Sequence, residues 1–149
     1  MSSSPPVTYR INNAVFNSPV GIASSDKSPK PFHPIVGTRW DSDASLKFGL
    51  SFTEKGRAKL YIEGCPVVLS NRIVCAASNV ISPPDEFVLE LVSEANFRRL
   101  YKICWASSRD LVWTLNSAIE PANSVFLSPD NPDAPYNPRQ LWYLEYQPL

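Results

Sequence analysis

The feature that most constrains this chain is a pattern of short apolar segments that occurs three times. Each repeat opens on a similar segment: TYRIN from Thr8, KLYIEG from Lys59 and LYKICW from Leu100. Each repeat closes on an alternating segment led by an aromatic residue: FGLSF from Phe48, FVLEL from Phe87 and WYLEY from Trp142. Alternation with a period of two is typical of half-buried β-strands. The chain is therefore predicted to be nearly all β, with a threefold internal repeat.

Two further apolar segments lie between the opening and closing strands of each repeat. The second strands are PVGIAS from Pro19, PVVLS from Pro66 and LVWTL from Leu111. The third strands are HPIVG from His33, RIVCAAS from Arg72 and SVFLSP from Ser124. We align the repeats on Ile11, Ile62 and Ile103, and four strands in each of three repeats predict twelve strands.

These repeats predict a β-trefoil, a six-stranded barrel capped by three hairpins. One repeat is too small to bury its own apolar face, and closure around a common axis also removes unpaired sheet edges. A single domain is expected over residues 1–149, with repeats at roughly 7–52, 58–92 and 99–149. A β-sandwich of similar strand number is the alternative fold. A helical turn at the start of SEANFRRLYKI, residues 93–103, is the one local alternative.

Composition argues against several classes of function. The 14 basic and 14 acidic residues are scattered singly, so they form no basic patch for nucleic acid or an anionic membrane. No apolar run reaches the roughly 18 residues that span a bilayer. The polar N-terminus has no apolar signal core, so we expect a cytoplasmic protein without membrane insertion. Three cysteines without C-x-x-C spacing are expected to be buried free thiols: Cys65, Cys75 and Cys104.

Catalysis is not expected from this sequence. His33 is the only histidine, and no nucleophile is spaced near it in the way that a Ser-His-Asp or Cys-His site requires. One histidine with dispersed cysteines also gives no metal-ligand cluster. Phosphate-binding glycine loops are absent from the sequence. We therefore predict no catalytic residues, no metal and no cofactor.

The segment SSDKSPKPFHP, residues 24–34, is a long connection between the second and third strands of the first repeat. Proline fixes φ, and the residue before a proline is pushed out of the helical region, so this segment is biased toward an extended backbone. A protease takes its substrate as an extended strand, and ordering that strand beforehand reduces the cost of binding. Lys27 would reach the acidic pocket of a trypsin-like protease. The alternative is a stiff, solvated loop without a partner.

The end of the chain carries a resemblance to a known family. NPRQLWYLEYQPL, from Asn137 to Leu149, resembles the last strand of ricin-B-type trefoils, in which a Gln-x-Trp packs under the barrel. Gln140 and Trp142 supply that pattern. Together with the opening TYRI, the abundant proline and the few cysteines, the whole chain is similar to the small β-trefoil proteins of mushrooms. These include lectins and the mycocypin and cospin-type protease inhibitors.

The resemblance to cospin-type inhibitors implies a function for the long connection. Those inhibitors place a basic residue, followed by Ser, between strands two and three, and Lys27 and Ser28 match that position. The protease-binding loop then comprises Asp26, Lys27, Ser28 and Pro29, of which Pro29 departs from the family's pattern. The implied function is a fungal defence protein that inhibits a trypsin-like serine protease. The resemblance to mycocypins implies inhibition of cysteine proteases as a further alternative.

Other candidate residues lie outside that connection. Arg57 in TEKGRAKL and Arg72 in LSNRIV are possible second inhibitory tips, or else solvated hairpin charges. The lectin alternative predicts a glycan site at Trp105, Asp110 and Asn116, since an indole stacks on a sugar face and a carboxylate accepts its hydroxyls. Trp113 and Trp142 are expected in the core. The predicted partner is therefore a trypsin-like protease or a glycan.

Overall fold

The computed structural model describes residues 8–24, 31–39, 41, 43–78, 83–95, 98–119, 122–130 and 137–147. Within these ranges it contains thirteen strands and one 3-10 turn: β1 Thr8–Asn13, β2 Ser18–Gly21, β3 Phe32–Pro34, β4 Val36–Gly37, β5 Phe48–Phe52, β6 Ala58–Ile62, β7 Cys65–Ser70, β8 Ile73–Ala77, β9 Glu86–Ala95, β10 Arg98–Trp105, β11 Ser108–Thr114, β12 Phe126–Pro129, the turn Pro138–Gln140, and β13 Trp142–Gln147. The prediction of a nearly all-β chain is confirmed. Arg99 of β10 lies opposite Glu94 of β9, so the predicted helical alternative is replaced by a β-hairpin.

Six strands close into a barrel. Each neighbouring pair is antiparallel around the ring: β1 with β5, β5 with β6, β6 with β9, β9 with β10, β10 with β13, and β13 with β1. Every repeat supplies its first and last strands to this ring. The closed barrel confirms the predicted β-trefoil and excludes the sandwich, while the limits of the three repeats and the single domain stay predictions.

Three hairpins cap one end of the barrel: β2 with β4, β7 with β8, and β11 with β12. Their third strands meet in a ring of backbone hydrogen bonds. The amide of Ile35 donates to the carbonyl of Val74 at 2.8 Å, that of Val74 to Val125 at 3.0 Å, and that of Val125 to Ile35 at 2.8 Å. Ile35 therefore belongs to neither of the two adjacent ladders. The strand before it, β3, pairs with β8, and the strand after it, β4, pairs with β2. This break is why one predicted strand appears as two.

The barrel register corrects the predicted alignment of the repeats. The cross-strand pairs of the three barrel hairpins are Phe48 with Ile62, Phe87 with Trp105, and Trp142 with Asn13. Ile62 therefore corresponds to Asn13 and Trp105. The counterpart of Ile11 and Ile103 is Leu60, and the predicted alignment is wrong by two residues. Because side chains alternate with a period of two, a shift of two leaves every apolar residue on the same face, and the pattern alone does not reveal it.

Aromatic residues and the Gln-x-Trp pair occupy the centre of the molecule. The rings of Phe87 and Trp142 contact Trp113 edge to face, at centroid distances of 5.5 and 5.8 Å. Trp142 donates its indole N–H to the carbonyl of Trp113 at 3.1 Å. The side-chain amide of Gln140 donates to Thr114 Oγ1 at 3.2 Å. The Gln-x-Trp pair thus ties the closing strand to β11, and the predicted core positions of Trp113 and Trp142 are confirmed, since both are fully buried.

Candidate functional site

The predicted inhibitory residues Asp26, Lys27, Ser28 and Pro29 lie outside the described residues, but both ends of their connection are described. At the first end, Asp41 Oδ2 accepts a hydrogen bond from the backbone N–H of Ser24 at 2.6 Å and another from its hydroxyl at 2.8 Å. Hydrogen bonds to a carboxylate are stronger than neutral ones. The chain is therefore held by a side chain where it leaves the first hairpin.

The second end of the connection is held by the neighbouring repeat. Ser78 donates its backbone N–H to the carbonyl of Pro31 at 2.8 Å, and β3 then pairs with β8. The side chain of His33 is buried, with Nε2 3.1 Å from the hydroxyl of Ser78. This pairing holds the C-terminal end of the connection in the extended conformation of a β-strand. The residues that carry Lys27 therefore connect two anchored positions, Ser24 and Pro31.

The equivalent connection of the second repeat is a tight turn. Asn71 and Arg72 alone join Ser70 to Ile73, which are cross-strand partners. Their φ angles are +51° and +65°, the left-handed pair that two-residue type I′ hairpins require. Glycine usually occupies the second of these positions because a side chain is unfavourable there. A two-residue turn is thus sufficient to join these two strands of a repeat.

The two arginines predicted as second inhibitory tips have other local geometries. Arg72 is exposed, but its φ of +65° is not the extended backbone that a protease takes. Arg57 is half-buried, and its Nη1 lies 3.7 Å from Glu86 Oε1. The carbonyl of Arg57 also accepts the N–H of Thr53 at 2.8 Å, which closes the β5–β6 turn. Arg72 therefore lacks the backbone of a substrate-like loop, and Arg57 is engaged with Glu86.

The predicted glycan residues lie along the third repeat without direct hydrogen bonds to one another in the described part of the chain. Trp105 is half-buried and packs against the core, in the inward barrel position that Ile62 occupies in the second repeat. Asp110 and Asn116 are exposed. Alternation with Ile103 already puts Trp105 on the inward side, and the barrel register adds that it lies opposite Phe87. Glycan binding at these residues stays a prediction.

A charged cluster covers the outer face of the third repeat. Lys102 Nζ is 2.9 Å from Asp130 Oδ2, and Arg109 Nη2 is 3.5 Å from Glu90 Oε2. Burial, and secondarily the charge of Glu90, raise the pKa of the Cys104 thiol to about 11. A thiol in this state is protonated at neutral pH and is a poor nucleophile. Within the described ranges, no three His, Cys, Asp or Glu side chains come together as metal ligands.

Two cavities of the barrel are not evident from the sequence. One, of about 600 Å³, is lined by the inward leucines of the closing strands, Leu50, Leu89 and Leu144, and by several tyrosines. The other, of about 640 Å³, lies against β1, the segment before β5, and the β6–β7 turn. Their lining residues come from segments that are distant in the chain. Only the register of the closed barrel brings them together.

Comparisons with known proteins agree on the fold. No protein-family model matches the chain, and no curated protein matches it in sequence. A proteinase inhibitor from Coprinopsis cinerea is similar in structure, with a TM-score of 0.76 and 16% identity over 96% of this chain and 99% of that one.

No helix in the described residues is long and apolar enough to cross a membrane.

Two fungal sugar-binding proteins are similar to nearly the same extent. The Rhizoctonia solani agglutinin matches with a TM-score of 0.70 and 17% identity over 99% of both chains. A ricin-B-like lectin of Macrolepiota procera, solved with lactose, matches with a TM-score of 0.69 and 17% identity, over 97% of this chain and 99% of the lectin. This chain therefore has the fold of these fungal β-trefoil proteins.

Proposed function

We propose that this protein inhibits a trypsin-like serine protease by presenting residues 26–29 as a substrate-like loop. The observation that carries the proposal is the anchoring of the connection at both ends. Asp41 holds Ser24 by two hydrogen bonds, and β8 holds the strand that follows Pro31. A loop fixed at its two ends has fewer conformations to lose when it binds.

The residues within the connection fit that role chemically. Ser28 and Lys30 precede prolines, which favours an extended backbone on covalent grounds. The ammonium of Lys27 would pair with a carboxylate at the bottom of the protease's primary pocket. The fold shared with the Coprinopsis proteinase inhibitor supports this choice among the functions of β-trefoils.

The proposal is tested by titrating trypsin with the wild-type chain, with Lys27→Ala and with Arg72→Ala. Arg72 is the matched control, because it is an exposed cation in the equivalent connection of the second repeat. Loss of a buried charge pair is expected to weaken inhibition about a hundredfold in Lys27→Ala, while Arg72→Ala inhibits like the wild type. Equal inhibition by the wild type and Lys27→Ala would remove the loop from the mechanism.

Glycan binding is the second candidate function, favoured by the agglutinin and the lactose-bound lectin that share this fold. Its residues are the exposed Asp110 and Asn116 and the half-buried Trp105. A glycan array and a papain assay, run beside the trypsin titration, separate the alternatives. Glycan binding without inhibition favours the lectin, and inhibition of papain alone favours the cysteine-protease inhibitor.

We extend the proposal to a defence role in the cytosol of a fungus. Three cysteines of the chain are free thiols, which is the usual state in a reducing compartment. The similar structures named above are also fungal proteins. Fractionation of the producing cells tests the location, and recovery of the chain only from the secreted fraction would refute it.

A further inference from the structure

The cavity of about 640 Å³ lies on the outer face of the barrel and contains an unusual cation. Arg10 of β1 lines it, and its Nε is buried without a hydrogen-bond partner. Glu145 lies directly opposite Arg10 in the β1–β13 register, but its Oε2 accepts a hydrogen bond from Asn12 at 3.3 Å. In the described part of the chain, Arg10 makes no ion pair. Its guanidinium is a fork of donors suited to oxyanions, and its Nε is available to donate to a ligand.

A second cation lines the same cavity. In the β1–β5 ladder, Tyr9 lies opposite Phe48 and Thr8 opposite Gly49. Continuing this register by one residue places Lys47 beside Arg10, and both line the cavity. Like charges in neighbouring cross-strand positions are unfavourable. An oxyanion bound between them relieves this repulsion.

The rest of the lining gives room for the body of a ligand. Among the described lining residues, Glu63 is the one carboxylate, and it is already engaged as the acceptor of the Ser45 hydroxyl. A Cβ placed on Gly49 would meet no heavy atom within 4 Å, so the cavity is open above this strand residue. Tyr61, half-buried, lines the cavity too and offers an aromatic face for a ring. The volume lies in the range of small-molecule sites.

We propose that this cavity, here called the Arg10 cavity, binds a small organic anion. Arg10 and Lys47 hold its carboxylate or sulfate group, and Tyr61 contacts its ring. An acidic monosaccharide has this chemistry. None of the described residues that line the Arg10 cavity belongs to the connection that carries Lys27, so we assign the ligand and the protease to separate parts of the molecule.

The test follows the backbone amides of Gly49 and Gly64 by NMR in the ¹⁵N-labelled full chain. Glucuronate is the probe, and glucose is its neutral counterpart. We expect glucuronate to shift both amides in a saturable way and glucose to leave them unchanged. Arg10→Gln should weaken glucuronate binding at least tenfold. Lys55→Gln, which removes the same charge from an exposed turn residue outside the Arg10 cavity, should bind like the wild type.

A second variant keeps the test independent of any effect of Arg10 on folding. Gly49→Val fills the open space with a side chain that suits a strand, so binding should be lost while the amide spectrum stays dispersed. No saturable shift with glucuronate, or equal binding by Arg10→Gln and Lys55→Gln, would overturn the proposal. Binding of inorganic sulfate as tight as that of glucuronate would overturn the ring contact, and equal binding of glucose would overturn the oxyanion site.

Discussion

The first two repeats join their second and third strands by connections of very different length, although the third strands of both contribute to the same ring of backbone hydrogen bonds. In the second repeat, Asn71 and Arg72 form a two-residue turn. In the first repeat, six residues separate the anchored Ser24 from Pro31. With only a two-residue turn before it, Val74 already takes its place in the ring of hydrogen bonds with Ile35 and Val125. The hairpins that cap the barrel therefore do not require the longer connection. The additional length is therefore available for binding a partner.

The two connections also differ in what holds them. The tight turn closes over two residues and places a non-glycine residue, Arg72, in the left-handed region, while the carbonyl of Arg72 accepts the backbone N–H of Leu127 at 2.8 Å. The long connection is held by contacts distant in the chain, from Asp41 at one end and Ser78 at the other. Substitutions should therefore change inhibition at the first connection and only stability at the second.

After Lys27→Ala, the largest effect is expected from Asp41→Ala. This change removes the two hydrogen bonds from Ser24 and a third that Asp41 Oδ1 accepts from the backbone N–H of Asp43 at 3.1 Å. Each hydrogen bond to a carboxylate contributes about 1.5–3 kcal/mol. Loss of this anchor leaves more conformational freedom to be lost on binding, so the inhibition constant for trypsin should rise at least tenfold. Asp43→Ala, two residues away at an exposed position, is the control. Unchanged inhibition by folded Asp41→Ala would show that this anchor does not position the loop.

Ser78→Ala should have a smaller effect at the other end. It removes the hydroxyl beside the buried His33 ring and leaves the backbone bond from residue 78 to Pro31 in place. Loss of one such side-chain hydrogen bond costs about 1 kcal/mol. Urea unfolding should show that loss, and the inhibition constant should rise severalfold. An increase as large as that of Asp41→Ala would mean that the second end dominates.

Arg72→Gly should stabilise the protein by about 0.5–1 kcal/mol, because glycine adopts a positive φ without a steric cost. The urea midpoint should therefore rise while trypsin inhibition stays the same. Arg57→Gly is the comparison, since Arg57 pairs with Glu86 and should not gain stability from glycine. Weaker inhibition by Arg72→Gly would contradict the contrast between the two connections.

The smallest effect is expected from Glu86→Gln, which removes the partner of Arg57. The pair is partly exposed, with its closest atoms 3.7 Å apart. Such pairs contribute roughly 0–1 kcal/mol. The midpoint of urea unfolding should move only slightly, and trypsin inhibition should not change. A fall in inhibition as large as that of Lys27→Ala would instead identify the β5–β6 turn as an inhibitory tip.

Much of the fold is readable from particular residues. Phe48 and Trp142 begin their closing strands as predicted, Phe87 is the second residue of β9, and all three are fully buried. The positions that sequence reasoning misplaced are those where two registers bury equally apolar residues. Leu60 and Ile62 are both buried, so an alignment on either satisfies the pattern. Trp105 faces inward in either register, and the correct register adds its pairing with Phe87.

The sequence by itself determined which residues face inward and that the chain is built from three similar units, because strand periodicity is a local property. Tertiary structure alone decided which strands pair and in which register. It also decided that Asp41 meets Ser24, that β3 lies on β8, and that Arg10 has no acidic partner in the described residues. These contacts join residues far apart in the chain, so they depend on barrel closure, which a local pattern does not encode.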